Sequence, residues 1–139
     1  MSIRVYYDNV KFRLRNSERI KCFLDKVIRN EEKETGDLVF IFTGNEKMLK
    51  INREFLDHDY YTDVISFDYG TGKKVNGEIY IGIETIKENS VLYKVRLKEE
   101  VVRIMIHGTL HLIGYVDNEP EERNRMIAVQ EKLVNEFIQ

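Results

Sequence analysis

Apolar and polar positions along the chain change period several times, and each period predicts an element. Strict alternation in "SIRVYY" and "VKFRLR" predicts two N-terminal strands, the second with Val10, Phe12 and Leu14 on one face and Lys11, Arg13 and Arg15 on the other. "NSERIKCFLDKVIRNEEKE" then switches to helical spacing, with Ile20, Phe23, Leu24, Val27 and Ile28 on one side, Asn16 or Ser17 as cap and Gly36 just past its end. "DLVFIFTG" is a short continuous apolar run, as expected of a strand covered on both faces. "NEKMLKINREFL" predicts a second helix capped by Asn45, with Met48, Leu49, Ile51 and Leu56 available for burial.

"TDVISFDYG" and "GEIYIGI" are β-rich runs joined by "TGKKVN", whose glycine and asparagine permit a hairpin-like reversal. Residues 84–94 are weakly helical, and the helix signal from Leu97 to Ile113 is strong. Apolar residues at 101, 102, 104, 105, 106, 110, 112 and 113 nearly surround its axis, which predicts a helix running through the middle of the molecule and ended by Gly114. In the last element Asn118 and Glu121 form the expected capping box around Pro120, ahead of a stripe of Met126, Ile127, Val129, Leu133, Val134, Phe137 and Ile138. The order of elements reads as an α+β fold: a mixed sheet of about four strands packed with helices, in a single domain over residues 1–139.

Composition narrows the class. With 139 residues, 42% hydrophobic, 33% charged and one proline, the chain suits a compact soluble protein rather than a disordered one. No apolar run reaches the roughly 20 residues that span a bilayer, and the first ten residues lack a signal peptide's apolar region, so the expected location is the cytoplasm and no membrane is an expected partner. Cys22 is the only cysteine, which excludes an internal disulfide or a cysteine-based zinc cluster; it reads as a buried, inert thiol. Net charge is −2, yet residues 1–29 carry +5 and the remainder −7. The stripe Lys11, Arg13, Arg15 can meet phosphates or be an ordinary solvated face.

The chemistry concentrates in "IHGTLHLIGYVDN". His107 and His111 stand four apart on the central helix, on one face and about 6 Å apart along the axis, where two imidazoles can converge on one zinc ion. Gly114 turns the chain back, and Asp117 follows at the offset of a third ligand, although it can equally serve as a cap beside Asn118. A helical histidine pair alone is more often structural; burial on an apolar helix, where each imidazole needs a partner, together with the glycine turn and the acid favours a metal. Three protein ligands leave a fourth place for water, as at a catalytic zinc. The spacing is that of the metzincin peptidases, H-E-x-x-H-x-x-G-x-x-H, but Gly108 stands where they carry the general-base glutamate, which disfavours proteolysis.

These residues resemble the YbeY endoribonucleases, whose signature is close to H-G-x-L-H-L-x-G-Y-D-H; this chain has "HGTLHLIGYVD". "INREFLDHDYYTDVISF" is similar to a second family segment, close to L-N-x-x-Y-R-x-x-D-x-x-T-D-V-L-S-F, and "GEIYI" to a third, G-D-I-x-I. The resemblance implies a zinc-dependent hydrolase of single-stranded RNA acting in maturation of the small-subunit rRNA 3′ end and in ribosome assembly. It implies His107 and His111 as metal ligands, and the Thr62 to Phe67 strand, with Thr62, Asp63 and Ser66, flanking the substrate cleft. The family's third histidine falls at Asp117, an anionic ligand that should leave a bound water less acidic.

Leu56 occupies the place of the family's arginine and cannot clamp a phosphate. Arg53, one turn earlier, can reach the same cleft or remain a surface residue, and His58 can carry protons or be a solvated loop histidine. The expectation is therefore an endoribonuclease with a metzincin-like site on a buried helix. It would hold one zinc per chain on His107, His111 and Asp117, take rRNA as substrate and meet components of the small ribosomal subunit as partners. The alternatives are an assembly factor with a mainly structural zinc and, less favoured, a metalloprotease.

Overall fold

A computed structural model describes residues 2–56 and 62–139. Its elements run β1 (Ser2–Tyr7), α1 (Ser17–Asn30), β2 (Glu34–Thr43), α2 (Asn45–Leu56), β3 (Val64–Asp68), β4 (Lys74–Gly82), α3 (Ile83–Leu92), α4 (Leu97–Ile113) and α5 (Pro120–Ile138). The sheet has the order β1-β2-β4-β3; the first three strands are parallel and β3 runs antiparallel along β4. This is the mixed, four-stranded α+β arrangement that the periodicities predict. Among the described residues no helix is long and apolar enough to cross a membrane.

One face of the sheet carries the main core. Ile3, Leu38, Phe40, Phe42, Val75, Ile79 and Ile81 pack there with the buried sides of α1, α4 and α5. α4 runs through the middle, with Val101, Val102, Met105, Ile106 and Leu110 almost wholly buried; each such side chain contributes about 1.5–3 kcal/mol. α2 covers the other face only over β3 and β4, where Met48 and Ile51 pack on Ile65 beside Phe67 and Tyr80. β2 is accordingly buried on one face and half-buried at Val39 and Ile41 on the other, which corrects the expectation of a strand covered on both faces.

Other departures have local causes. "VKFRLR" keeps its inward and outward alternation but is no paired strand: Leu14 N–H donates to the Tyr7 hydroxyl, and the Arg13 guanidinium bonds the carbonyls of Val10 and Phe12, so side chains replace a ladder. α1 ends at Asn30, and Gly36 lies inside β2 rather than at its C-cap. Asn45 is the first helical residue of α2 rather than its cap, and it spends its side chain accepting a bond from Thr85. Cys22 is exposed, because its direction on α1 falls outside the arc from Ile20 to Ile28 that meets the core. The capping box of α5 is shifted by one, with Glu119 as cap and Glu122 as its reciprocal partner. Its buried stripe is Met126, Gln130, Val134 and Phe137, while Ile127 and Ile138 face solvent.

The seat of α4 on the sheet is set by Gly108. A Cβ there would lie 2.9 Å from Cγ2 of Ile79, itself fully buried, so the helix can approach β4 this closely only without a side chain. Gly108→Val therefore forces α4 off β4, and the expected loss is about 1–3 kcal/mol in unfolding free energy by urea titration. Unchanged stability would show that the helix does not depend on this close approach.

Candidate metal centre

The period of α4 divides its residues between core and cleft. Gly108, Thr109 and Leu110 are buried, whereas His107 and His111, one turn apart, are half-buried and face an open cleft of about 530 Å³. Gly114 then ends the helix at φ 126°, a conformation that L side chains rarely adopt. Its N–H bonds the carbonyls of Leu110 and His111, and Tyr115 N–H also reaches Leu110 O at 3.0 Å. This turn carries the chain back along the helix end and sets Asp117 beside the two imidazoles.

The three side chains converge. Candidate ligand atoms of His107, His111 and Asp117 all lie within 4.8 Å of one another. His111 Nε2 is 3.1 Å from His107 Nε2 and 3.5 Å from Asp117 Oδ2. The opposite ring nitrogens face acceptors: His107 Nδ1 lies 2.7 Å from the Gln130 amide oxygen, and His111 Nδ1 lies 3.2 Å from the Tyr115 carbonyl. The Gln130 oxygen places a proton on His107 Nδ1 and leaves its Nε2 to face inward, while the Tyr115 carbonyl can take the Nδ1 proton of His111, whose Nε2 lies between His107 Nε2 and the Asp117 carboxylate. Burial pushes the His111 imidazole below its ordinary pKa; His107 acts in the same direction and Asp117 opposes it. Two imidazole nitrogens and a carboxylate thus converge on one place, and that donor set fits zinc.

The cleft wall opposite α4 is β3 and the residues before it. Thr62, Asp63 and Ser66, expected there from sequence, line the same cleft as the two histidines and Asp117. Burial raises the pKa of the Asp63 carboxyl, with His107 opposing. Gly82 N–H bonds Asp63 O and Tyr69 N–H bonds Asn76 O, so odd-numbered residues of β3 face β4. Val64, Ser66 and Asp68 consequently turn their backbone groups to the open edge, along the cleft.

Leu56 also lines the cleft, where the second sequence segment leads one to look for an arginine. Arg53 is on the exposed side of α2 and is not among the described lining residues. His58 lies outside the described residues. Lys11, Arg13 and Arg15 are exposed but follow β1, at the sheet edge opposite β3, and do not line the cleft. Sequence reasoning missed Asp68, a cleft-lining acid, and Gln130. The signal for Gln130 was present: it is the one polar residue in the buried Met126, Val134, Phe137 stripe.

A family model described as endoribonuclease YbeY matches residues 5–138. The protein named endoribonuclease YbeY from Parabacteroides distasonis is 37% identical over 126 residues, covering 91% of this chain and 89% of that one. Its namesake from Bacteroides fragilis is 43% identical over 110 residues, 79% of each chain. Among solved structures, the solution structure of TM1509 from Thermotoga maritima superposes with a TM-score of 0.69 at 26% identity, covering 98% of this chain and 89% of that one.

The turn at Gly114 supplies both the acceptor for His111 and the return to Asp117, so its backbone conformation can be tested directly. Gly114→Ala is expected to cost about 1–3 kcal/mol of stability in urea titration and, in the still-folded fraction, to weaken metal uptake measured by competition with a chromophoric chelator. Wild-type stability in this variant would contradict the left-handed turn.

Proposed function

The chain belongs to the endoribonuclease YbeY family, and on that premise we propose that it is a zinc-dependent endoribonuclease of single-stranded RNA, with His107, His111 and Asp117 holding one zinc. Its proposed substrate is the 3′ end of the small-subunit rRNA, its partners components of the small ribosomal subunit, and its location the cytoplasm, in keeping with the bacterial sources of its relatives. The observation that carries the reading is the convergence of two Nε2 atoms and the Asp117 carboxylate on one point beside an open cleft. Bound there, zinc supplies a Lewis acid and makes a coordinated water more acidic.

The chain's own groups do the rest. Tyr115 O fixes the His111 ring. Thr62 and Ser66 offer hydroxyls, and the open edge of β3 offers N–H groups, to an extended phosphate backbone. Asp63, Asp68 and Asp117 line the cleft, and no Lys or Arg is among its described lining residues. These carboxylates repel phosphate, which a cation held by His107, His111 and Asp117 would offset. Gly108 supports the case against proteolysis: its position faces Ile79 in the core, where no carboxylate could serve a metal-bound water. The absence of an arginine at Leu56 favours a second reading, an assembly factor with a mainly structural zinc.

Metal content, RNA binding and cleavage separate these readings. The expected result is one zinc per chain by atomic absorption, cutting of single-stranded RNA but neither duplex RNA nor casein, and loss of both RNA binding and cutting on chelation. His111→Ala should remove the zinc and reduce cutting to background. Full zinc occupancy without cutting would support the assembly factor, and undiminished zinc in His111→Ala would overturn the ligand assignment.

A further inference from the structure

We infer that Gln130 is a positioning residue for the metal centre: held by Glu131 and Arg103, its amide oxygen sets His107 in the tautomer whose Nε2 lone pair faces the metal position. The inference rests on the ligand reading above and extends it to α5, a helix that contributes no ligand.

The two ends of a glutamine amide are chemically opposite, one accepting and one donating, and a histidine nitrogen responds to whichever end it meets. Gln130 is buried between α5 and α4. Its Nε2 donates to Glu131 Oε2 at 3.0 Å, and its Oε1 lies 2.7 Å from His107 Nδ1. Glu131 is in turn clamped by Arg103, whose Nε lies 2.9 Å from Oε2 and whose Nη2 lies 3.0 Å from Oε1. Arg103 is anchored to its own helix by Glu100 at 2.9 Å and Glu99 at 3.2 Å. Its guanidinium holds the Glu131 carboxyl below the usual carboxylate range, so Glu131 is an anion at neutral pH and can only accept.

The order of donors and acceptors follows in one direction. An anionic Glu131 requires the NH₂ of Gln130, which leaves the carbonyl for His107. That carbonyl requires a proton on Nδ1, which leaves Nε2 free as a ligand. Were the amide reversed, its NH₂ would face Nδ1, the ring would carry its proton on Nε2, and no lone pair would reach the metal position. Arg103 and His107 stand one turn apart on α4, and Glu131 and Gln130 are successive on α5, so the packing of two helices fixes the tautomer.

The tautomer can be read without metal, which separates this inference from the ligand assignment. In ¹⁵N-labelled, metal-free wild type, the long-range ¹H–¹⁵N spectrum should show His107 protonated at Nδ1; a proton on Nε2 would overturn the proposal with no variant needed. Gln130→Leu should shift the proton to Nε2 and weaken zinc binding about 10–100-fold in chelator competition, with its fold checked by circular dichroism. Gln130→Glu combined with Glu131→Gln exchanges the two roles and keeps an acceptor toward His107, so it should restore Nδ1–H and most of the affinity. Unaltered tautomer and affinity in Gln130→Leu would refute the inference, as would a double variant no better than the single one. A wild type that binds no zinc, while its His107 tautomer still follows residue 130, would sink the ligand assignment and leave the Gln130–His107 coupling standing.

Discussion

The close seat of α4 on β4 is the contact on which the other features depend. Gly108 lies against Ile79, with space for no side chain between, and from that line of contact every other direction around the helix is assigned. The sheet takes one side, while Val101, Met105 and Ile106 join a core shared with α1 and α5. What remains open is the strip holding His107 and His111, which the antiparallel edge strand β3 faces across the cleft. The same residue that admits the helix to the sheet thus leaves no room for a carboxylate beside the first histidine. In a metzincin peptidase that place carries the general base, so here packing and chemistry select against proteolysis together.

Much of this was legible in the sequence because it is local. His107, His111, Gly114 and Asp117 lie within one helix and its terminating turn, and helical geometry plus one left-handed residue suffices to bring them together. Elements with a strong single period, α4 and α5 above all, were likewise predictable, as was the β3–β4 reversal. What failed were statements about what lies opposite a face. Alternation in "VKFRLR" reports which residues point inward and is silent on whether a strand pairs with them. Ile127 and Ile138 fit an apolar helical stripe but face solvent, since α4 covers only the arc from Met126 to Phe137. Cys22 belongs to the same class of error, and Gln130 is its inverse: a polar residue inside a buried stripe, whose meaning depends on His107 across a helix interface.

The resemblance to known endoribonucleases points to Thr62, Asp63 and Ser66, which line the cleft with the two histidines, and the two departures from the family pattern acquire a common sense in the structure. Leu56 puts a hydrocarbon where a cation was expected, and Asp117 puts an anion where a neutral imidazole was expected. Both make the cleft more negative. On the proposed ligand set Asp117 would offset part of a divalent cation's charge, in a cleft that Asp63 and Asp68 also line.

Burial raises the pKa of the Asp63 carboxyl and His107 opposes the shift, so the acid facing the histidines is the one whose charge depends most on what occupies the cleft. Lys11, Arg13 and Arg15 follow β1 at the far edge of the sheet and do not line the cleft. No Lys or Arg is among the described lining residues of the cleft, so the orientation that the Gln130 and Tyr115 oxygens impose on His107 and His111 decides whether their Nε2 atoms can hold a cation there.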